Sequence, residues 1–331
     1  MDQKWARAAL GLGLALLMGA PAHAQENAQP KVWRHGIIEA KSDAGFFYMA
    51  SRRDFAQKLG LRLEFVPMKT DTIELKATIA GELDSYEGGP GGAMVAASRG
   101  ADIKVIGCNW LVVPHGLFVR GGIDAVADLK GKSIAVSSPG SFPELVARSV
   151  LEKAAIPVGD VRFAAMGSDT DRYKALAAGV VDGAIVSNEV TPIAAKSGIR
   201  ELVRGSEAVP GFVRVCLHAT GKTLKERPDD TAKFLAAEME GLRYAMSHRD
   251  ETIRLTQEIS GQKSDDPRAA FVYDWAVQAQ AIGTDLPIPM DKLDVVQTAA
   301  VAVGSMARPI DLATVVDTSA REKALALLAG H

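Results

Sequence analysis

The chain has 331 residues, with 38 Lys and Arg against 40 Asp and Glu, for a formal net charge of −2. That length suggests two domains rather than one. The balanced charge, without a basic patch or a basic run interleaved with aromatics, speaks against nucleic acid as a partner.

The first residues read as a targeting signal. Lys4 and Arg7 form a positive n-region, Ala8 to Met18 is an apolar run too short for a membrane span, and Ala22-His23-Ala24 is a small-x-small cleavage site. Residues 1–24 are therefore expected to be a signal peptide, cleaved near Ala24, with a soluble mature protein passing the inner membrane into the periplasm. No cysteine follows the cleavage site, so lipidation is not expected there. Cys108 and Cys216 each lie in a strand-like run. In an exported protein they are either joined or two separate core thiols, because spatial distance is not legible in sequence.

From Val32 the chain alternates strand and helix. Strands are expected at Val32–Ile38, Leu61–Val66, Glu82–Tyr86 and Ile103–Cys108. Helices are expected between Phe47 and Leu59, over 70–80 and over 93–99. This is the pattern of a parallel sheet with helices on both faces. The Gly88–Gly92 cluster is neither Gly-x-Gly-x-x-Gly after a first strand nor followed by Gly-Lys-Ser/Thr, so a nucleotide loop is rejected. It is read instead as a place of close backbone approach at a strand end. Leu117–Arg120 is a further strand, broken by Gly121-Gly122.

The alternation then restarts with Ser133–Val136, helix 142–154, Arg162–Ala164, helix 170–178 and Ala184–Val186, which implies a second α/β lobe. Ser137 to Gly140 is a tight turn, and Ser141 with Glu144 reads as a capping box opening the next helix. Such a turn offers N–H groups and hydroxyls to an oxyanion or another acceptor. Phe212–His218 is a long strand, and the remainder is mostly helical: 230–247, 250–260, 267–281, 291–303 and 318–329.

Four segments in this order resemble the periplasmic substrate-binding proteins of nitrate/taurine/sulfonate-type ABC transporters, over essentially the whole mature chain. They are Gly45-Phe-Phe-Tyr-Met-Ala50 with Leu59-Gly-Leu61; Ala80-Gly-Glu-Leu-Asp84 with Gly88–Gly92 and Ala96-Ala-Ser-Arg-Gly100; Asp128-Leu-Lys-Gly-Lys-Ser-Ile-Ala-Val136 with Ser138-Pro-Gly140; and Ala175-Leu-Ala-Ala-Gly-Val-Val-Asp-Gly-Ala-Ile185. The resemblance implies a bilobal α/β type II periplasmic-binding fold: two doubly wound lobes, a two-stranded hinge, and a helical C-terminal region packing on the first lobe. Lobe 1 is expected over 25–118 and 218–331, lobe 2 over 119–217, with crossings at Leu117–Arg120 and Phe212–His218. A monomeric receptor is implied, delivering one small molecule to an inner-membrane ABC permease with its cytoplasmic ATPase.

The ligand is expected at the C-terminal ends of the strands. Lobe 1 offers Ser42, Asp43, Phe46, Tyr86, Glu87, Gly88, Gly89, Asn109, Trp110 and His115 there. Lobe 2 offers Ser137, Ser138, Gly140, Ser141, Phe142, Asn188 and Glu189. The aromatics suit a planar or apolar ligand, with ordinary lobe packing as their other reading. Asn109 suits an orienting amide. No Arg or Lys is expected in these loops apart from Lys41, with Arg172 and Lys69 near others. The implied organic sulfonate or carboxylate is thereby weakened, and a neutral or cationic nitrogen heterocycle such as a pyrimidine competes, with Glu87 or Glu189 accepting from it. No Ser/His/Asp motif or metal-spaced His/Cys cluster appears, so no catalytic residue, metal or cofactor is assigned. An enzyme acting on a pyrimidine precursor and a ligand-presenting sensor component remain the alternatives of other classes.

Overall fold

The structure is a computed structural model that describes residues 30–38 and 40–330. The expected signal peptide lies outside the described residues.

Ten strands form two five-stranded sheets. The first contains β1 (Lys31–Ile38), β2 (Leu61–Met68), β3 (Ser85–Gly88), β4 (Lys104–Trp110) and β10 (Val215–Ala219), in the order β2-β1-β3-β10-β4. The second contains β5 (His115–Arg120), β6 (Ser133–Val136), β7 (Arg162–Ala165), β8 (Gly183–Ser187) and β9 (Ile199–Arg204), in the order β7-β6-β8-β5-β9. In each sheet four strands run in one direction, and each sheet receives one strand from the chain as it arrives from the other lobe. That strand, β10 or β5, runs antiparallel to its neighbours.

Helices α1 (Ala44–Arg52), α2 (Phe55–Lys58), α3 (Asp71–Ala80) and α4 (Pro90–Ser98) connect the first sheet. The second lobe carries α5 (Phe142–Lys153), α6 (Asp169–Ala177), α7 (Thr191–Ala194) and α8 (Gly205–Ala208). The tail is α9 (Gly221–Glu226), α10 (Pro228–Ser247), α11 (Arg249–Ser260), α12 (Arg268–Gln278), α13 (Met290–Ala302) and α14 (Ser319–Ala329). Helix α10 starts where the sequence favours it, with Pro228 in its first turn and Asp229 and Asp230 at the positive end of the helix dipole. Its buried face, including Phe234, Leu235, Met239 and Leu242, packs on α1 and α14, which fixes the tail on lobe 1. Phe234 stacks on Trp33 of β1 with ring centroids 5.2 Å apart. Truncating such a fully buried ring costs about 3–5 kcal/mol.

The passages between lobes differ from the sequence expectation. Strand β5 pairs with β8 from His115 to Val119, wholly inside the second sheet. The outward passage is thus residues 111–114, and the return is residues 209–214, after α8. The two cysteines sit at the root of these passages. They face each other across β4 and β10 and are joined in a disulfide.

Several local features differ from the sequence expectation. Strand β9 and helix α9 are not evident in sequence. In β9, Arg200, Glu201 and Arg204 break up the apolar residues, as suits a sheet edge. Strand β3 begins at Ser85, so Glu87 and Gly88 are in the strand rather than the loop after it. At the glycine cluster, the close neighbour is Asp71 of α3: its Oδ2 accepts from Gly89 N–H at 2.9 Å, and a Cβ on Gly88 would lie 3.2 Å from the same carboxylate.

Candidate functional site

The C-terminal ends of the parallel strands in the two sheets face each other, and the segments that follow them touch. Beyond β1, Lys41 Nζ donates to Asp169 Oδ2 at 2.6 Å, at the start of α6. The next residue, Ser42, donates its backbone N–H to Glu189 Oε2 at 3.1 Å, just past β8. Both contacts cross from lobe to lobe. Asp169 is a hub, receiving Arg172 Nη2 and Ser187 N–H and lying 3.4 Å from His115 Nε2. Burial would favour its neutral form, but Lys41, His115 and Arg172 overcome that and hold its pKa well below the usual carboxylate range. Burial likewise works against the Lys41 ammonium, yet Asp169, Glu189 and Asp43 around it push its pKa up.

Next to this contact is a residue absent from the sequence expectation. Arg214 precedes β10, and its backbone N–H donates to Trp110 O at 3.1 Å. Its Nη2 donates to Asp43 Oδ2 at 2.7 Å, and the guanidinium lies 4.6 Å from the Trp110 ring centroid. The expectation that Lys41 is the only cation at these loops is therefore corrected. Arg214 was hidden because Phe212–His218 reads as one apolar strand, whereas the strand begins only at Val215. The lone charge inside that run was the available signal.

Phe46, Phe47, Tyr273 and Trp275 form one cluster with Trp110, which is fully buried. Phe46 meets it edge-on at 5.8 Å, Phe47 lies 5.5 Å away, Trp275 stacks at 6.3 Å, and Tyr273 stacks on Phe46 at 5.2 Å. Beside Trp110, Asn109 Nδ2 donates to Glu87 Oε2 at 3.1 Å. Burial pushes the Glu87 carboxyl up to about 8, with the Asn109 hydrogen bond acting against it. Glu189 is raised too, by burial first, against the pull of Lys41 and Ser42. His115 is lowered by burial despite Asp169 and meets Phe142 edge-on at 5.4 Å. From the C-terminal region, Gln262 Nε2 donates to Ser42 Oγ at 2.8 Å.

Ser42, Asp43, Phe46, Glu87, Asn109, Trp110, His115 and Glu189 are thus linked by direct contacts, through Lys41, Asp169 and Arg214. Asn188 joins them in sequence beside Glu189 and donates its N–H to Pro114 O at 2.8 Å. Tyr86, Gly88 and Gly89 are placed differently. Tyr86 stacks on His218 at 4.5 Å, and Gly88 and Gly89 meet Asp71.

The turn at Ser137, Ser138, Gly140 and Ser141 satisfies itself. Ser138 N–H donates to Ser141 Oγ at 3.2 Å and Gly140 N–H to Glu144 Oε2 at 2.5 Å. The expected capping box does not form, since Ser141 makes no side-chain cap. Gly140 takes a left-handed φ of +74°, and from there its N–H meets the Glu144 carboxylate, which occupies the receptacle itself. Phe142 packs on Phe212 at 4.7 Å.

Several polar atoms of the linked group are buried without a partner among the described residues: Arg214 Nη1, Trp110 Nε1, His115 Nδ1, Asn109 Oδ1, Asn188 Oδ1, Thr191 Oγ1 and Gln262 Oε1. Such atoms are destabilising unless something meets them, and most buried polar groups are paired. Two are N–H donors, three are amide atoms, and together they match an organic molecule carrying both acceptor and donor atoms. No three His, Cys, Asp or Glu among the described residues cluster to hold a metal ion.

Residues 41–252 match the family described as NMT1/THI5 like. The chain belongs to that family. This NMT1/THI5-like protein is similar in fold to the periplasmic aliphatic sulphonate binding protein SsuA from Escherichia coli, with a TM-score of 0.71 and 18% identity over 87% of this chain and 92% of that one. The alkanesulfonate-binding protein SsuA from Xanthomonas axonopodis pv. citri, bound to MOPS, has a TM-score of 0.70 and 18% identity, covering 88% and 99%. The desulfurization enzyme DSZB shares the fold as well, with a TM-score of 0.65 and 16% identity over 90% and 99%. No curated protein matches the chain. The expected bilobal periplasmic-binding fold is what this NMT1/THI5-like chain has.

Proposed function

We propose that this protein is an exported receptor that captures one small organic molecule between its lobes and delivers it to an inner-membrane ABC permease. The observation that carries this reading is the part-buried Lys41–Asp169 contact across the lobes, flanked by unpartnered polar atoms on both sides. A ligand held there would be enclosed by lobe closure. Export to the periplasm is supported by the signal-like residues 1–24 and by the Cys108–Cys216 disulfide, which suits an oxidising compartment.

The ligand-binding set is Ser42, Asp43, Phe46, Glu87, Asn109, Trp110, His115, Asn188 and Glu189, now with Lys41, Asp169 and Arg214. Tyr86, Gly88 and Gly89 shape the lobe 1 strand end, and the turn from Ser137 to Phe142 forms an outer wall. Arg214 Nη1 and Trp110 Nε1 favour an organic sulfonate or carboxylate head, because both donate. A second reading, a nitrogen heterocycle, is favoured by the carboxyls of Glu87 and Glu189 and the amide of Asn109.

A binding role is preferred to an enzymatic one. The chain's two cysteines are joined, which leaves no thiol nucleophile. Tryptophan fluorescence titration with sulfonates, carboxylates and pyrimidines tests the reading. One class should saturate the signal, and Trp110→Phe, which keeps the ring and removes the N–H, should weaken that ligand by about 1 kcal/mol, roughly fivefold. An unchanged affinity in Trp110→Phe would remove the indole N–H from the site.

A further inference from the structure

Four buried carboxyl groups belong to the linked site, and they divide into two kinds. Asp43 is bonded to Arg214, and Asp169 to Lys41 and Arg172. Glu189 accepts from the Ser42 N–H with the Lys41 ammonium close enough to act on it and so belongs with the first kind, whereas Glu87 accepts only from the neutral Asn109 amide. A buried ionised carboxylate without a cation is strongly disfavoured, whereas a neutral acid needs only ordinary hydrogen bonds.

The surroundings of Glu87 sharpen the contrast. Asp43 and Tyr48 face it from α1 and its N-terminus, Asp71 from α3 together with Glu74, and Glu238 from α10. Arg214 is the one cation acting on it, and its Nη2 is held by Asp43. Glu87 Oε2 is taken by Asn109, while Oε1 makes no hydrogen bond among the described residues.

We infer that Glu87 stands in the ligand site as a neutral carboxylic acid whose O–H donates, so that this point of the site selects an acceptor atom on the ligand, a carbonyl, carboxylate or sulfonate oxygen, and disfavours an ammonium or ring N–H. This rests on the receptor reading above and narrows its ligand class. The acid adds a third donor to Arg214 Nη1 and Trp110 Nε1, with Arg214 over the Trp110 ring and close enough to act on Glu87. Its pKa, raised by burial to about 8 with Asp43 and Asp71 adding to the shift, keeps the proton in place at neutral pH. Binding of an acceptor ligand should then weaken as pH rises above 8, approaching tenfold per unit where ionised Glu87 must regain its proton.

The test begins on the unliganded protein, so its outcome is separate from whether a ligand has been found. The infrared difference spectrum between wild type and Glu87→Gln should contain a protonated-carboxyl C=O band at pH 7 that titrates away near pH 8. Gln keeps a carbonyl for Asn109, and far-ultraviolet circular dichroism of Glu87→Gln serves as the folding control. A difference spectrum holding only ionised-carboxylate bands at pH 7 overturns the inference. The second arm uses methanesulfonate and uracil as probes between pH 6 and 9, below the range in which uracil loses its own ring proton. Affinity for whichever binds should fall above pH 8 in wild type and stay flat in Glu87→Gln. Equal pH profiles in the two proteins overturn the selective role. If neither probe binds, the receptor reading loses support and the infrared result still decides the state of Glu87.

Discussion

Arg214 gives one terminal nitrogen to Asp43 at 2.7 Å and keeps the other, Nη1, buried without a partner among the described residues. Half of the guanidinium is spent on holding its own position and half is left to donate. Arg214→Met keeps the aliphatic stem over Trp110 and removes both roles. Ligand affinity should fall about 10- to 100-fold, the worth of a hydrogen bond from a charged group. Stability should fall as well, because Asp43 is left buried without its cation, a loss of about 3–5 kcal/mol. Adding Asp43→Asn should restore much of the stability and none of the affinity. Calorimetric binding and urea unfolding of the three variants check both.

Lys41 and Asp169 should hold the lobes together in proportion to their burial. Thermal unfolding of Lys41→Met, Asp169→Asn and the double variant gives the coupling directly. A value of about 1–3 kcal/mol is expected for a contact shielded on the Asp169 side. Coupling near zero would mean that the contact does not fasten the lobes. Solution scattering should also show a larger radius of gyration for either single variant.

Glu74, which faces Glu87 from α3, supplies a pH signature of its own. It is fully buried on α3 with both carboxyl oxygens unpartnered, and burial, then Asp71 and Glu87, push it from the ordinary 4.5 up to about 10. The folded protein thus holds a proton that the unfolded chain releases. That stabilising contribution is complete below pH 4.5 and is lost progressively as pH rises towards 10, at about 1.4 kcal/mol per unit where steepest. Glu74→Gln removes the dependence. Its melting temperature relative to wild type should climb between pH 6 and 9, and a difference independent of pH would show that Glu74 is ionised in the fold.

The fold was largely legible because its signals are local. Strand and helix periods, Gly60 after α2 and the apolar face of α5 all act within a few residues, and they place most elements, although the one helix expected between Phe47 and Leu59 is two, α1 and α2, beginning at Ala44. Edge strand β9 escaped because its charged residues obscure the apolar pattern. The site was legible only in part. Ser42, Glu87, Asn109 and Trp110 lie next to strand ends that can be read, whereas Arg214 enters through a contact with Asp43 separated by 171 positions. The disulfide had the same difficulty: only the alignment of β4 beside β10 brings Cys108 to Cys216. At the Gly140 turn the sequence shows both the N–H and the Glu144 carboxylate, and only the fold shows that the one meets the other.

The most direct test of the receptor account is the melting temperature of residues 25–331 with sulfonates, carboxylates and pyrimidines. A ligand that binds only the folded protein stabilises it by about 2.7 kcal/mol at a hundred times its Kd. One class should raise the melting temperature saturably in wild type and much less in Arg214→Met. No shift with any class at millimolar concentration, or an equal shift in Arg214→Met, would contradict ligand capture at the Arg214–Trp110 site.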